Sequence, residues 1–112
     1  MLITVFRSRL KPGLSDEYGA AVERMSELAQ TMPGYISHKT FLAPDGERCT
    51  IVEFENEEGL RVWRTNAEHL AAQKMARQKY YTDYSVQVCT LDRESKFTST
   101  DKTAATTTVP AA

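Results

Sequence analysis

From Leu2 to Leu10 apolar residues fall on both parities, Ile3 and Val5 against Leu2, Thr4 and Phe6, and the segment predicts a strand. "KPG" then turns the chain. Beyond it Tyr18, Ala21, Val22, Met25, Leu28 and Ala29 recur at helical spacing and form one buried stripe. Ser15 is placed to cap that helix, and Asp16 and Glu17 put negative charge where the helix dipole is positive. "MPGY" closes it, because Pro33 disfavours a helical Met32 and Gly34 tolerates a positive φ. Two strands follow, Tyr35 to Leu42 and Cys49 to Glu55, joined through "APDGER" with its turn-forming Pro, Asp and Gly. Asn56 is placed to cap a second helix, with Glu57 and Glu58 in its first turn. That helix should break near "RTNAEH", where Asn66 is a natural cap for its resumption toward Tyr81. Asp83 to Leu91 predicts a fourth strand, with Tyr84, Val86 and Val88 on one side.

The order β-α-β-β-α-β is the split βαβ pattern of ferredoxin-like α+β folds, in which helices cover one face of an antiparallel sheet. Here the strands carry apolar residues on both parities: Val52 and Phe54 oppose Ile51, and Tyr35 and Phe41 oppose Ile36 and Leu42. The helix-free face therefore needs a cover. A second copy of the same sheet is the simplest one, so a homodimer through the sheet faces is expected. From Arg93 the composition changes to "RESKFTSTDKTAATTTVPAA", in which Phe97 and Val109 are the only large apolar residues. The expected division is a domain over residues 1–92 and a Ser/Thr/Ala-rich tail over 93–112, too polar to offset its own ordering entropy.

Composition narrows the function. A chain of 112 residues with 26% charged residues and net charge −1 has room for one domain and no global field to attract nucleic acid or an anionic membrane. The basic residues Arg61, Arg64, Lys74, Arg77 and Lys79 read as a solvated helix face. "MLITVFRSRLKPG" is too short and charged for a secretion signal, and no run approaches the roughly 20 apolar residues of a membrane helix, so a cytoplasmic location is expected. Cys49 and Cys89 lie in apolar strands without a CxxC pattern, which predicts free, buried thiols and no zinc site. No metal cluster, nucleophile motif or dinucleotide fingerprint appears.

The chemistry concentrates between Phe54 and Tyr81, a segment holding the single Trp and one of the two His. On a helical wheel Ala71, Met75, Ala72, Ala76, His69 and Tyr80 form a continuous arc, with Gln73 at its edge. His69 thus points toward the sheet, where an imidazole can act as a base near neutral pH or serve simply as a hydrogen-bonded residue at a helix start. Trp63 suits either a core or the wall of an aromatic pocket. Asn66 is a cap or an amide donor to a ligand. His38 alternates with Ile36 and Thr40 and faces either a pocket or a dimer seam. Glu53, among Ile51, Val52 and Phe54, needs a partner if buried, and Arg7 and Lys39 are candidates.

"VEFENEEGLRVWRTNAEHLAAQKMARQKYYTDYSVQVC" resembles the antibiotic biosynthesis monooxygenase family of dimeric α/β barrels. The strand ending "VEFENEE", the Trp of "LRVWR", the "HLAAQ" run and the "YY…Y" before the last strand carry the resemblance, which spans about Met1 to Leu91. It implies a ferredoxin-like protomer whose sheet meets its twin, with a pocket between helices and sheet. It also implies relatives that oxidise aromatic phenols to quinones with molecular oxygen and no cofactor, and others that degrade heme. On the first reading His69 is the catalytic base, and Trp63, Asn66, Gln73, Tyr80 and His38 contact a small aromatic substrate. The heme branch expects an axial histidine where Gln73 stands and an asparagine on the first strand, which here reads "TVFRSR", so heme is the less favoured cofactor. A non-catalytic small-ligand or structural dimer is the alternative outside enzymology.

Overall fold

The structure, a computed structural model, describes residues 1–100; the remainder of the expected tail, 101–112, lies outside the described residues. The elements are β1 (Leu2–Leu10), α1 (Ser15–Ala29), β2 (Tyr35–Leu42), β3 (Arg48–Phe54), α2 (Glu57–Thr65), α3 (Ala67–Lys79) and β4 (Tyr81–Thr90). The sheet order is β2-β3-β1-β4, antiparallel throughout. This is the expected ferredoxin-like α+β fold, with its second helix divided at Asn66. Residues 93–100 form neither helix nor strand, and Phe97 is 88% exposed.

Register sorts the two faces. Thr4 stands opposite Val52 and Val88, and Phe6 opposite Thr50 and Val86, and all six look toward the helices and line the cavity described below. The intervening Ile3 and Val5, paired with Glu53 and Ile51, belong to the helix-free face. Two register shifts alter this alternation. One, between Tyr35 and Ser37, lets Tyr35 and His38 meet on the helix side. The other sets Arg9 opposite Asp83 but Leu10 opposite Tyr81, leaving Thr82 as the extra residue. Tyr81 and Tyr84 thereby both face the helices, and β4 begins two residues earlier than simple alternation predicts.

Capping follows the sequence in two helices of three. The Asn56 side chain accepts from Gly59 N–H at 2.9 Å, and that of Asn66 accepts from His69 N–H at 3.0 Å. Ser15 does not cap α1. It is already the first helical residue, and Leu14 precedes it with no side-chain bond to the helix end. Gly34 turns the chain into β2 at φ 77°. Gly59 is required for another reason: a Cβ there would lie 2.1 Å from the Pro33 carbonyl oxygen.

Three other expectations need correction. Met75, placed by the wheel on the inward arc of α3, is 53% exposed, and Ala71 is exposed as well. The inward stripe is His69, Ala72, Gln73 and Ala76, because two of the cavity-facing positions are polar and apolarity is a poor guide to facing there. Cys49 is half-buried and Cys89 exposed, both free, since they stand on the helix-free face of a single chain. Half-buried Glu53 is met by the Ser37 hydroxyl at 2.5 Å, while Arg7 pairs with Glu47 and Lys39 lies over the Phe41 ring.

Candidate functional site

A cavity of about 460 Å³ lies between the helices and the sheet. Its floor is the helix-side parity of all four strands; its roof comes from α1, α2 and α3. The walls are mostly apolar, with polar groups at separate stations. His69, Trp63, Gln73, Tyr80 and His38 all line it. Asn66 does not. Its amide oxygen is committed to the α3 cap, and that cap fixes the first turn from which His69 projects.

The geometry around His69 is set by the break between α2 and α3. The chain turns back after Trp63, and the imidazole lies flat on the indole, ring centroids 3.8 Å apart and planes 13° from parallel. His69 Nδ1 is 3.0 Å from the Trp63 carbonyl oxygen. A carbonyl only accepts, so Nδ1 carries the hydrogen and Nε2 keeps its lone pair. Among the described residues no protein group takes that lone pair. Burial lowers the His69 pKa from its ordinary 6.5, opposed in part by the bond to Trp63. The side chain is therefore a neutral, oriented base in an apolar chamber.

Two further polar stations were less evident from sequence. His38 joins Ser26 Oγ through Nε2 at 3.0 Å and the Tyr35 hydroxyl through Nδ1 at 2.5 Å. Ser26 lines the cavity from α1, where it interrupts the stripe of Val22, Met25 and Ala29; a lone hydroxyl in an apolar stripe was the available signal. The third station is aromatic. The Tyr18 and Tyr81 hydroxyls meet at 2.7 Å, and the Tyr18 ring contacts Tyr80 edge-on and the Arg48 guanidinium at 5.6 Å. Burial, reinforced by the bond to Tyr18, raises the Tyr81 pKa far above that of a free phenol, so its hydroxyl remains protonated. The Arg24–Glu68 ion pair ties α1 to α3 across the roof at 2.7 Å.

Residues 1–75 match the family model for antibiotic biosynthesis monooxygenases. The chain belongs to this family. Comparison with curated proteins gives no match. Solved structures share the fold of this antibiotic biosynthesis monooxygenase family member at low identity. One described as an antibiotic biosynthesis monooxygenase is 15% identical with TM-score 0.72, covering 83% of this chain and 100% of that one. Rv0793 from Mycobacterium tuberculosis is 16% identical with TM-score 0.75, over 85% and 98% of the two chains. SnoaB, a cofactor-independent oxygenase from Streptomyces nogalater, is 15% identical with TM-score 0.71, over 83% and 94%. Among the described residues no group of three or more His, Cys, Asp or Glu is arranged to hold a metal, and no helix is long and apolar enough to cross a membrane.

Proposed function

We propose that the protein is a cofactor-independent monooxygenase that oxidises a small phenolic aromatic to a quinone with molecular oxygen. The observation that carries this reading is His69, held neutral by burial and oriented by the Trp63 carbonyl, with its free Nε2 edge in an apolar cavity. A phenol bound there gives its proton to Nε2, and the electron-rich phenolate supplies the electrons that reduce oxygen. The balance is one phenol and one dioxygen to one quinone and one water. Trp63 supplies a flat wall for the ring, and Gln73 and Tyr80 offer hydrogen bonds to substrate oxygens. The likeness to SnoaB supports the reading at the level of fold.

Heme is the less favoured alternative. The Gln73 amide stands where the heme-degrading branch places its axial ligand, and an amide is a poor partner for heme iron. The His69 ring is pinned flat on Trp63. A homodimer in the cytoplasm with a small aromatic ligand completes the proposal; a non-catalytic ligand-binding dimer is the competing class. The test is oxygen uptake with a panel of hydroxylated polycyclic aromatics, alongside a hemin titration. Expected are stoichiometric oxygen consumption and quinone formation without added cofactor, and no sharp Soret band. Heme consumption with a reductant would reverse the ranking, and inertness toward the whole panel would favour the non-catalytic class.

A further inference from the structure

In the proposed reaction His69 takes the phenol proton, and His38 has no part in that step. His38 rises from the floor on β2 under α1, with both ring nitrogens engaged: Nδ1 with the Tyr35 hydroxyl at 2.5 Å and Nε2 with Ser26 Oγ at 3.0 Å. Ser26 and His38 line the cavity, whereas Tyr35 stands behind them with its ring edge-on to Phe54. This is a three-member chain running from the strand start to the cavity wall. Each member can both give and take a proton. Ser26 Oγ has no protein partner other than His38 among the described residues, so its remaining hydrogen-bonding capacity is open to the cavity. The register shift between Tyr35 and Ser37 brings the Tyr35 hydroxyl to His38, against strict strand alternation.

We propose that Ser26–His38–Tyr35 is a proton relay that serves the oxygen-derived atoms of the substrate, separate from the His69 base. This rests on the monooxygenase reading. His69 first takes the phenol proton. Two electrons of the phenolate then form a bond from ring carbon to dioxygen, leaving a peroxide anion. With Nε2–H donating to Ser26 Oγ and Nδ1 accepting from the Tyr35 hydroxyl, Ser26 gives its hydroxyl proton to the distal peroxide oxygen and is refilled from Nε2, while Nδ1 takes the Tyr35 proton. The relay then takes back one proton, from the oxygenated ring carbon. That C–H electron pair forms the carbonyl as the O–O bond breaks, and the departing hydroxide collects the proton held on His69 as water. Both proton-transfer groups end as they began.

The experiment compares the parent protein with Ser26→Ala, Ser26→Thr, Tyr35→Phe and His69→Ala, using a phenol that the parent oxidises. The expected result for Ser26→Ala is a fall in kcat of about 10²-fold or more with KM little changed, the size of effect typical of losing an acid–base group. In single turnover its oxygen uptake should precede quinone appearance, because the peroxide forms and waits for a proton. Ser26→Thr, which keeps the hydroxyl, should restore turnover, and Tyr35→Phe should give a milder version of the same lag. His69→Ala should instead slow oxygen uptake and quinone formation together. A folded Ser26→Ala protein with parental turnover, or one whose two signals slow in step, overturns the relay and leaves the oxygenase reading standing. A parent that oxidises no phenol overturns both.

Discussion

Burial lowers the proton affinity of His69, and the sign of that shift dictates how activity should follow pH. In the proposed reaction His69 works as neutral imidazole, so kcat/KM should be flat above the ordinary value of 6.5 and decline only below it, with an apparent pKa under 6.5. The same sign applies to stability. His69's contribution is intact above the unfolded-state pKa and is lost as pH falls through the lowered folded value. A pH–rate profile from about pH 5 to about pH 8 checks the first statement, and His69→Ala should remove the acid limb while lowering kcat by roughly 10²–10⁴-fold. Trp63→Phe should act chiefly on KM, because it trims a wall without moving a proton. Parental activity in His69→Ala would exclude it as the base. At this scale helical spacing made the facing of His69, Gln73 and Tyr80 legible beforehand, although the same wheel turned the exposed Ala71 and Met75 inward. The sequence left His38 open between pocket and seam and did not show its pairing with Ser26, which depends on a strand and a helix distant in the chain.

At the scale of elements, irregularities shape the cavity. Uniform strands would send Tyr81 and Tyr84 to opposite faces; the extra Thr82 puts both on the helix side, where both line the cavity. The α2–α3 break likewise returns the chain so that His69 stacks on Trp63. Asn66 announced that break in the sequence through its capping chemistry, but strand bulges have no comparable residue signature here, so the earlier start of β4 was not legible. The turn before β2 and the end of β3 approach α2 closely at Gly59. With the Gly59 Cβ position 2.1 Å from the Pro33 carbonyl and 3.3 Å from the Phe54 ring, Gly59→Ala must displace backbone. It should destabilise the fold by about 1–3 kcal/mol. Chemical denaturation against the parent measures it, and an unchanged midpoint would mean that α2 shifts freely over the sheet.

For the whole molecule, the helix-free face presents Ile3, Val5 and Ile51, and Phe41 on β2 is 47% exposed. A second copy should cover this surface. Light scattering at micromolar concentration is expected to report twice the chain mass, with Ile51→Lys lowering it toward a monomer; a monomeric parent would remove the barrel arrangement. Among the described residues the buried hydrophobic side chains number five, Ala29, Phe54, Leu60, Ala76 and Tyr80, and of these only Phe54 is fully buried. Where a domain of this size ordinarily keeps interlocked side chains, this one keeps about 460 Å³ of open chamber. A guest in that chamber completes the interior, so recognition and folding become one equilibrium. An aromatic held at a hundred times its Kd should add about 2.7 kcal/mol to the unfolding free energy, raising Tm whether or not the compound reacts. Melting curves can therefore identify the natural occupant of the chamber before any reaction has been found.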